Sequence, residues 1–414
     1  MTQHKQFLYF PSFSSKASLL KKDDMSFGTP GTPSFVPTIR FYDDRYPERW
    51  RHKYFLLTAA MFHKRKTSIR EDLGMQDTCI FGDSGGFQVA NGSLKWDKSL
   101  LESIFRFLEA ESNIAMNLDI PPKIDYTGKF RECLEISVEN FKYFADHQSG
   151  KTKFLNVLQM DGQTDDFHIW YDAVKDFEFN GWGVGGTLLQ HYNSLYVTAL
   201  LLSEREFEKK SCEYLHFLGA TNPFNFLIYA CIQKNFVKYY PHCTLTTDSS
   251  TPLYQTTYGN WAHTINYNAW NYHWIWMPPK KRANLYVEGA RLPCMLDNCP
   301  VCSNITYSDL KHYDTSDQFA VRIGWHSLAV FQKSLEIITN IAHLLGDVEG
   351  MDSTLMGFAD NDIIMMMKSI DEMFEKPEDA MKVFHKYSKL YMKISNKFGK
   401  KVDPNLVNSD ELFA

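Results

Sequence analysis

The stretch FGDSGGFQV, residues 81–89, decides how the rest of the chain is read. Ile80 and Phe81 close an apolar run at Gly82-Asp83, and Gly85-Gly86 follow at once. A carboxylate at the end of a buried strand, beside backbone that can come close to a ligand, is a common way to build a substrate pocket. The same residues also suit a plain strand-to-loop turn whose Asp caps the next helix. The flanking sequence separates the two readings.

Short apolar runs recur around this stretch: YFLLTAA (54–60), CIFGD (79–83), IAMNLD (114–119), FLNVLQ (154–159), GWGVGG (181–186), LHFLGA (215–220), CTLTTD (243–248) and NLYVEG (284–289). Between most of them lie stretches of helical periodicity, such as Leu100 to Ala110, Arg131 to Ala145, Asp166 to Phe177 and Asn222 to Asn235. The runs are continuous rather than alternating, as strands buried on both faces require. Eight strand–helix units predict an α/β fold, a (β/α)8 TIM barrel. A doubly wound open sheet is the alternative, but no G-x-G-x-x-G fingerprint supports a dinucleotide version of it. Asp83, Asp119, Gln159, Gly185-Gly186, Gly219 and Asp248 all end predicted strands. In a barrel those ends converge on one face, so three carboxylates and an amide would meet there. Any one of them alone is explained as a cap or a turn; the coincidence is not.

With 414 residues, 44 % of them hydrophobic, the chain can bury a large core. It has no apolar run long enough for a membrane span and no signal-peptide pattern at MTQHKQFLYFPSFSSK, so a cytoplasmic protein with no membrane partner is expected. A net charge of −5 does not advertise nucleic-acid binding, although phosphate contacts need only a local basic face. Arg45 to Lys53, Lys64 to Arg70, and Lys280-Lys281-Arg282 are the basic clusters, and each also reads as solvated surface. The last one closes an aromatic segment, 249–283, which suits either a packed cover over the barrel mouth or a surface that stacks on bases.

Of the eight cysteines, five are scattered and three cluster in CMLDNCPVC (294–302). His326 follows, opening a predicted helix over 326–345. Three thiolates (Cys294, Cys299, Cys302) and one imidazole (His326) form a closed tetrahedral zinc set with no vacancy for water, so a structural Zn2+ is expected. His312 is a rival for the fourth position. The expected organisation is an irregular extension over 1–50, a barrel over 51–350 that includes a zinc-binding subdomain at about 290–335, and a helical tail over 351–414. In the tail, Ile363, Met366, Met367, Ile370, Met373 and Phe374 form a stripe that reads as helix-packing core.

These segments resemble the tRNA-guanine transglycosylase family. DSGGFQ (83–88) is similar to its most characteristic motif, and LDIPP (118–122), VLQ (157–159), GVGG (183–186), FLGATNP (217–223), TDSSTPLY (247–254), the cysteine cluster and HSLAVFQ (326–332) follow in the family's order. The resemblance implies an enzyme, a pentosyltransferase, that exchanges a guanine in a polynucleotide for a 7-deazaguanine base such as 7-cyano-7-deazaguanine. It implies that Asp248 is the nucleophile and Asp83 the general acid/base. Asp119 and Gln159 would read the base edge with help from backbone at Gly185 and Gly186, and Phe87 and Leu218 would sandwich the ring. The chain departs from the family in several places. Four residues separate Cys294 from Cys299 where one is usual, GGTLLQH lacks the bacterial Glu, and the segment after Asp248 lacks the bacterial basic residues. No archaeal-style RNA-binding module is recognisable at the C-terminus. In these respects the chain looks most like the phage-encoded branch that modifies DNA, which implies DNA as the polymer and the host cytoplasm as the location. Base exchange on tRNA is the alternative, and a non-catalytic partner subunit or a plain glycoside hydrolase would be of another class. The resemblance leaves a homodimer open.

Overall fold

The computed structural model describes residues 5–12, 26–27, 36–37, 52–122, 129–160, 164–186, 191–220, 222–257, 260–266, 269–276, 294–296, 299, 317–344 and 361–399. Eight parallel strands form one sheet: β1 (Leu8–Pro11), β4 (Tyr54–Thr58), β5 (Cys79–Asp83), β6 (Ile114–Met116), β7 (Lys153–Leu158), β8 (Gly181–Val184), β9 (Tyr214–Phe217) and β10 (Thr244–Ser249). The order runs β4 to β10 and then to β1, and a parallel bridge between Ser12 and Leu56 brings β1 back to β4. This is a (β/α)8 barrel. Two antiparallel pairs stand outside it, β2 (Ser26–Phe27) with β3 (Val36–Pro37), and β11 (Asn260–Asn266) with β12 (Asn271–Trp276).

One strand differs from the expectation. Leu8–Pro11, placed by its sequence in an irregular extension, is the first barrel strand and pairs with β10 from Leu8↔Thr246 to Pro11↔Ser249. Four residues ending in proline carry little strand signal, and more than forty residues separate them from the next barrel strand. Pro11 is tolerated because it stands at the end of the strand, where its missing N–H costs least. NLYVEG (284–289), expected to supply the eighth strand, lies outside the described residues.

The helices that wrap the barrel form for local reasons. Asp97 caps Lys98–Glu111 by accepting the Leu100 N–H at 2.8 Å, and Leu100, Leu101, Ile104, Phe105 and Leu108 put one apolar face on the strands. Asn222 caps Pro223–Tyr239, whose first helical residue is a proline. That helix is buried almost all round because a second layer covers it, made of Asp317–Leu344 and Asn361–Glu375. Its neighbour His191–Ser203 is covered in the same way by Ala380–Phe398. The Met366, Met367 and Met373 stripe is thus core. The tail is fastened by Lys234 Nζ to Asp371 at 2.9 Å, Asn235 Nδ2 to Asp371 at 2.7 Å and Asn222 Nδ2 to the Phe398 carbonyl at 2.8 Å.

Inside the barrel, rings close the floor beneath the mouth. The Phe81 ring lies on the His216 imidazole with centroids 4.0 Å apart, and Phe10 meets Phe81 edge-on at 5.3 Å. Phe10 in turn meets Tyr54 at 5.4 Å. Phe10 is fully buried, so Phe10→Ala should cost about 3–5 kcal/mol. An equilibrium denaturation midpoint that does not move would remove β1 from the barrel.

Candidate functional site

Asp83 stands at the end of β5, and the two glycines after it shape the mouth. Gly85 has φ 88°, and its N–H donates to Asp83 Oδ1 at 3.0 Å. A Cβ at Gly86 would lie 2.0 Å from the Asp119 carbonyl oxygen, so only glycine lets this turn pack against the next strand's exit. Thr58, level with Asp83 on β4, hydrogen-bonds the same carboxyl. Burial raises the Asp83 pKa; these hydrogen bonds oppose the shift, and the charge of Asp248 adds to it.

Asp119 is buried, and its Oδ2 accepts from Gln159 Nε2 at 2.8 Å. Its pKa is pushed up to about 7, chiefly by burial, against the Gln159 hydrogen bond and with a smaller push from Asp83. Gly185 and Gly186 flank the same amide. A Cβ on Gly185 would come 2.8 Å from Gln159 Nε2, and one on Gly186 would come 2.9 Å from Oε1. Leu218 Cδ1 is a further near neighbour of Gly185, 3.4 Å from such a Cβ. Phe87 differs from the others. It is 64 % exposed, in the first turn of the short helix Gly86–Ala90.

Asp248, at the end of β10, is held through one oxygen. Oδ1 accepts the Gly219 N–H at 2.7 Å and lies 3.2 Å from His216 Nε2. Gly219 turns its N–H onto that oxygen with φ 68°; a side chain there would find open space, so only its backbone conformation asks for glycine. His216 is fully buried, and its Nδ1 lies 2.7 Å from Thr246 Oγ1. Sequence reasoning missed this histidine. The available signal is the pairing of LHFLG with TLTTD, whose register sets His216 opposite Thr246, two residues short of Asp248.

Asp83, Asp119, Gln159, Gly185, Gly186, Leu218 and Asp248 therefore come together at one barrel mouth. Burial biases Asp83 and Asp119 toward the protonated form, while Asp248 accepts the Gly219 N–H and lies beside His216. No helix among the described residues is long and apolar enough to cross a membrane.

A second cluster lies beyond the barrel. Cys294 Sγ and Cys299 Sγ are 3.9 and 3.4 Å from His326 Nδ1. Two ligands on one tetrahedral ion lie roughly 3.5 Å apart, given bonds of about 2.0–2.3 Å. His326 Nε2 lies 2.9 Å from the Ala262 carbonyl oxygen. That contact puts the proton on Nε2 and the lone pair on Nδ1, which faces the two sulfurs, the usual outer support of a ligating histidine. The Leu296 N–H donates to Cys294 Sγ at 3.3 Å, as thiolates in metal knuckles accept. These three residues fit a metal ion. Cys302, Lys280, Lys281 and Arg282 lie outside the described residues. In the aromatic segment before them, Trp270 and Tyr272 are buried, and Tyr272 stacks on Phe331 at 3.8 Å, so these two rings are packed core. Arg70 of the second basic cluster is likewise structural, donating to the backbone carbonyls of Thr78 and Glu111.

No family model matches the chain, and no curated protein matches it.

Asp119 makes the folded state bind a proton that the unfolded chain has released, so its cost accrues as pH rises from the ordinary Asp value toward 7. Asp119→Asn should therefore raise the melting temperature by a few degrees at about pH 8 and by less at about pH 5. Equal shifts at both would contradict the raised pKa. For the second cluster, Cys299→Ser should lower both bound metal, measured by elemental analysis, and melting temperature, whereas Cys133→Ser should leave the metal content alone. A metal-replete Cys299→Ser protein would dissolve the assignment.

Proposed function

We propose that the chain is a guanine transglycosylase acting on a polynucleotide, DNA in preference to tRNA. The observation that carries this is the meeting of Asp83 and Asp248 beside the Asp119–Gln159 pair, each from a different strand end. Two carboxyl groups serving one glycosidic bond, one as acid and one as nucleophile, are the components of a retaining exchange. The Asp119–Gln159 pair and the backbone at Gly186 offer the mixed donors and acceptors that a purine edge needs. The preference for DNA follows the sequence resemblance alone.

In this reading an Asp248 oxygen forms a bond to the sugar C1′ while the C1′–N9 bond breaks. The electron pair of that bond leaves with guanine, which takes the proton of Asp83. A 7-deazaguanine then enters, gives its N9 proton to Asp83 and attacks C1′, and the C1′–O bond pair returns to Asp248. Water must stay out between the two halves, and the buried, ring-floored mouth favours that. Cys294, Cys299 and His326, with Cys302 as the fourth ligand, would hold a structural Zn2+ that ties the 294–302 knuckle to its helix and takes no part in the exchange.

Labelled guanine should enter one polymer when duplex DNA, single-stranded DNA and tRNA are offered separately. A denaturant-resistant protein–polymer adduct should form, and Asp248→Asn should abolish both. Labelling of tRNA alone would reverse the polymer preference. Absence of labelling from all three, or an adduct that survives Asp248→Asn, would refute the reading.

A further inference from the structure

We infer that His216 is the positioning residue of the Asp248 nucleophile: a neutral imidazole, its tautomer set by Thr246, that ties up Asp248 Oδ1 so that Oδ2 is the attacking oxygen. The inference rests on the transglycosylase reading and adds a residue and an atom to it.

Hydroxyl, imidazole and carboxylate in a line have the connectivity of a nucleophilic triad, in which the carboxylate serves the imidazole and the imidazole activates the hydroxyl. Burial excludes that direction here. Thr246 is 0 % exposed, below the mouth and on the far side of His216 from Asp248, so its hydroxyl meets no substrate. Asp248, 8 % exposed, is the outermost of the three. The relay therefore runs outward, and the imidazole serves the carboxylate.

Hydrogen-bond accounting fixes the protons. With Asp248 as a carboxylate, Oδ1 accepts only, so the nitrogen facing it at 3.2 Å must carry hydrogen. Charging the ring would satisfy the same contact, but the ring is fully buried between Phe81 and the strands, and burial disfavours the imidazolium. The neutral Nε2–H tautomer remains, and its Nδ1 accepts the Thr246 hydroxyl proton at 2.7 Å. The Phe81 ring at 4.0 Å, with planes inclined by 25°, prevents the imidazole from turning away.

The Gly219 N–H falls on the same oxygen at 2.7 Å, so both donors hold Oδ1. A carboxylate clamped through one oxygen cannot rotate, and the clamp leaves Oδ2 to form the bond to C1′. When that bond forms, the negative charge on the carboxylate is lost and Oδ1 becomes the ester carbonyl. The two donors then ease departure as the charge returns in the second half of the exchange.

His216→Phe keeps a ring against Phe81 and removes the donor; His216→Gln restores an N–H near the Nε2 position. With the wild type forming an adduct, His216→Phe should lower kcat by about 10- to 100-fold, the worth of one hydrogen bond to the carboxylate whose charge returns in the second half, and should slow adduct formation through the lost positioning of Oδ2, with KM for the incoming base little changed. His216→Gln should recover much of that loss at the melting temperature of His216→Phe. Long-range nitrogen–proton NMR correlations of wild-type protein labelled at histidine should show His216 neutral and protonated at Nε2. Wild-type rates in His216→Phe, a loss confined to KM, or an Nδ1–H tautomer would each overturn the inference while leaving the exchange reaction standing. Should His216→Phe fail to fold, the wild-type tautomer and His216→Gln still decide. A wild type that forms no adduct with any polymer refutes the transglycosylase reading itself, and this inference with it.

Discussion

Desolvation of carboxyl groups is the constraint on which the site depends. Asp83, Asp119 and Asp248 come from three strand ends, and the fold keeps water from them with a stack of rings below. Left alone, three such groups would repel one another and resist burial. The barrel answers each differently. Asp83 receives the Gly85 N–H and Thr58, Asp119 receives Gln159, and Asp248 receives Gly219 and His216. The result is three identical side chains held by three different sets of partners.

The glycines belong to the same solution. Gly86, Gly185 and Gly186 stand where a Cβ would meet the Asp119 carbonyl or the Gln159 amide. Packing these turns against Asp119 and its Gln159 partner leaves no room for side chains on them. The DSGGFQ and GVGG segments are thus short of side chains because the first packs on the Asp119 carbonyl and the second on the Gln159 amide.

Much of this was legible in the sequence because burial and periodicity are written locally. Seven strands showed themselves as apolar runs, and their polar last residues marked the mouth. What was not legible depends on partners distant in the chain. Leu8–Pro11 is a strand only because β10 and β4 leave a gap of the right width, and nothing in LYFP announces that. His216 looks like a lone histidine in an apolar run until the register sets it against Thr246 and Asp248. Asp119 could be chosen as a pocket residue from its place after a strand, but its raised pKa follows from Gln159, Asp83 and burial together. Cys294, Cys299 and His326 were legible as candidate metal ligands from the cysteine cluster and the distant histidine; the Ala262 carbonyl that orients His326 was not.

The metal cluster and the mouth are mechanically joined. His326 and Gln332 lie on one helix, six residues apart. Gln332 Nε2 hydrogen-bonds His52 Nδ1, and His52 Nε2 meets the Tyr9 carbonyl oxygen at 3.0 Å. Burial lowers the His52 pKa to about 4, so near neutral pH the ring can accept from Gln332 and donate to Tyr9 at once. The Tyr9 hydroxyl donates to the Ser249 carbonyl at 3.2 Å, one residue beyond Asp248. Each link is buried or partly buried, so each is costly to leave unmade. The helix that carries the candidate metal ligand His326 at one point therefore braces the strand pair β1–β10 at another. The braced strand is the one that carries Asp248 at the barrel mouth, so the Cys294–Cys299–His326 cluster and that carboxyl are tied through one run of side-chain contacts.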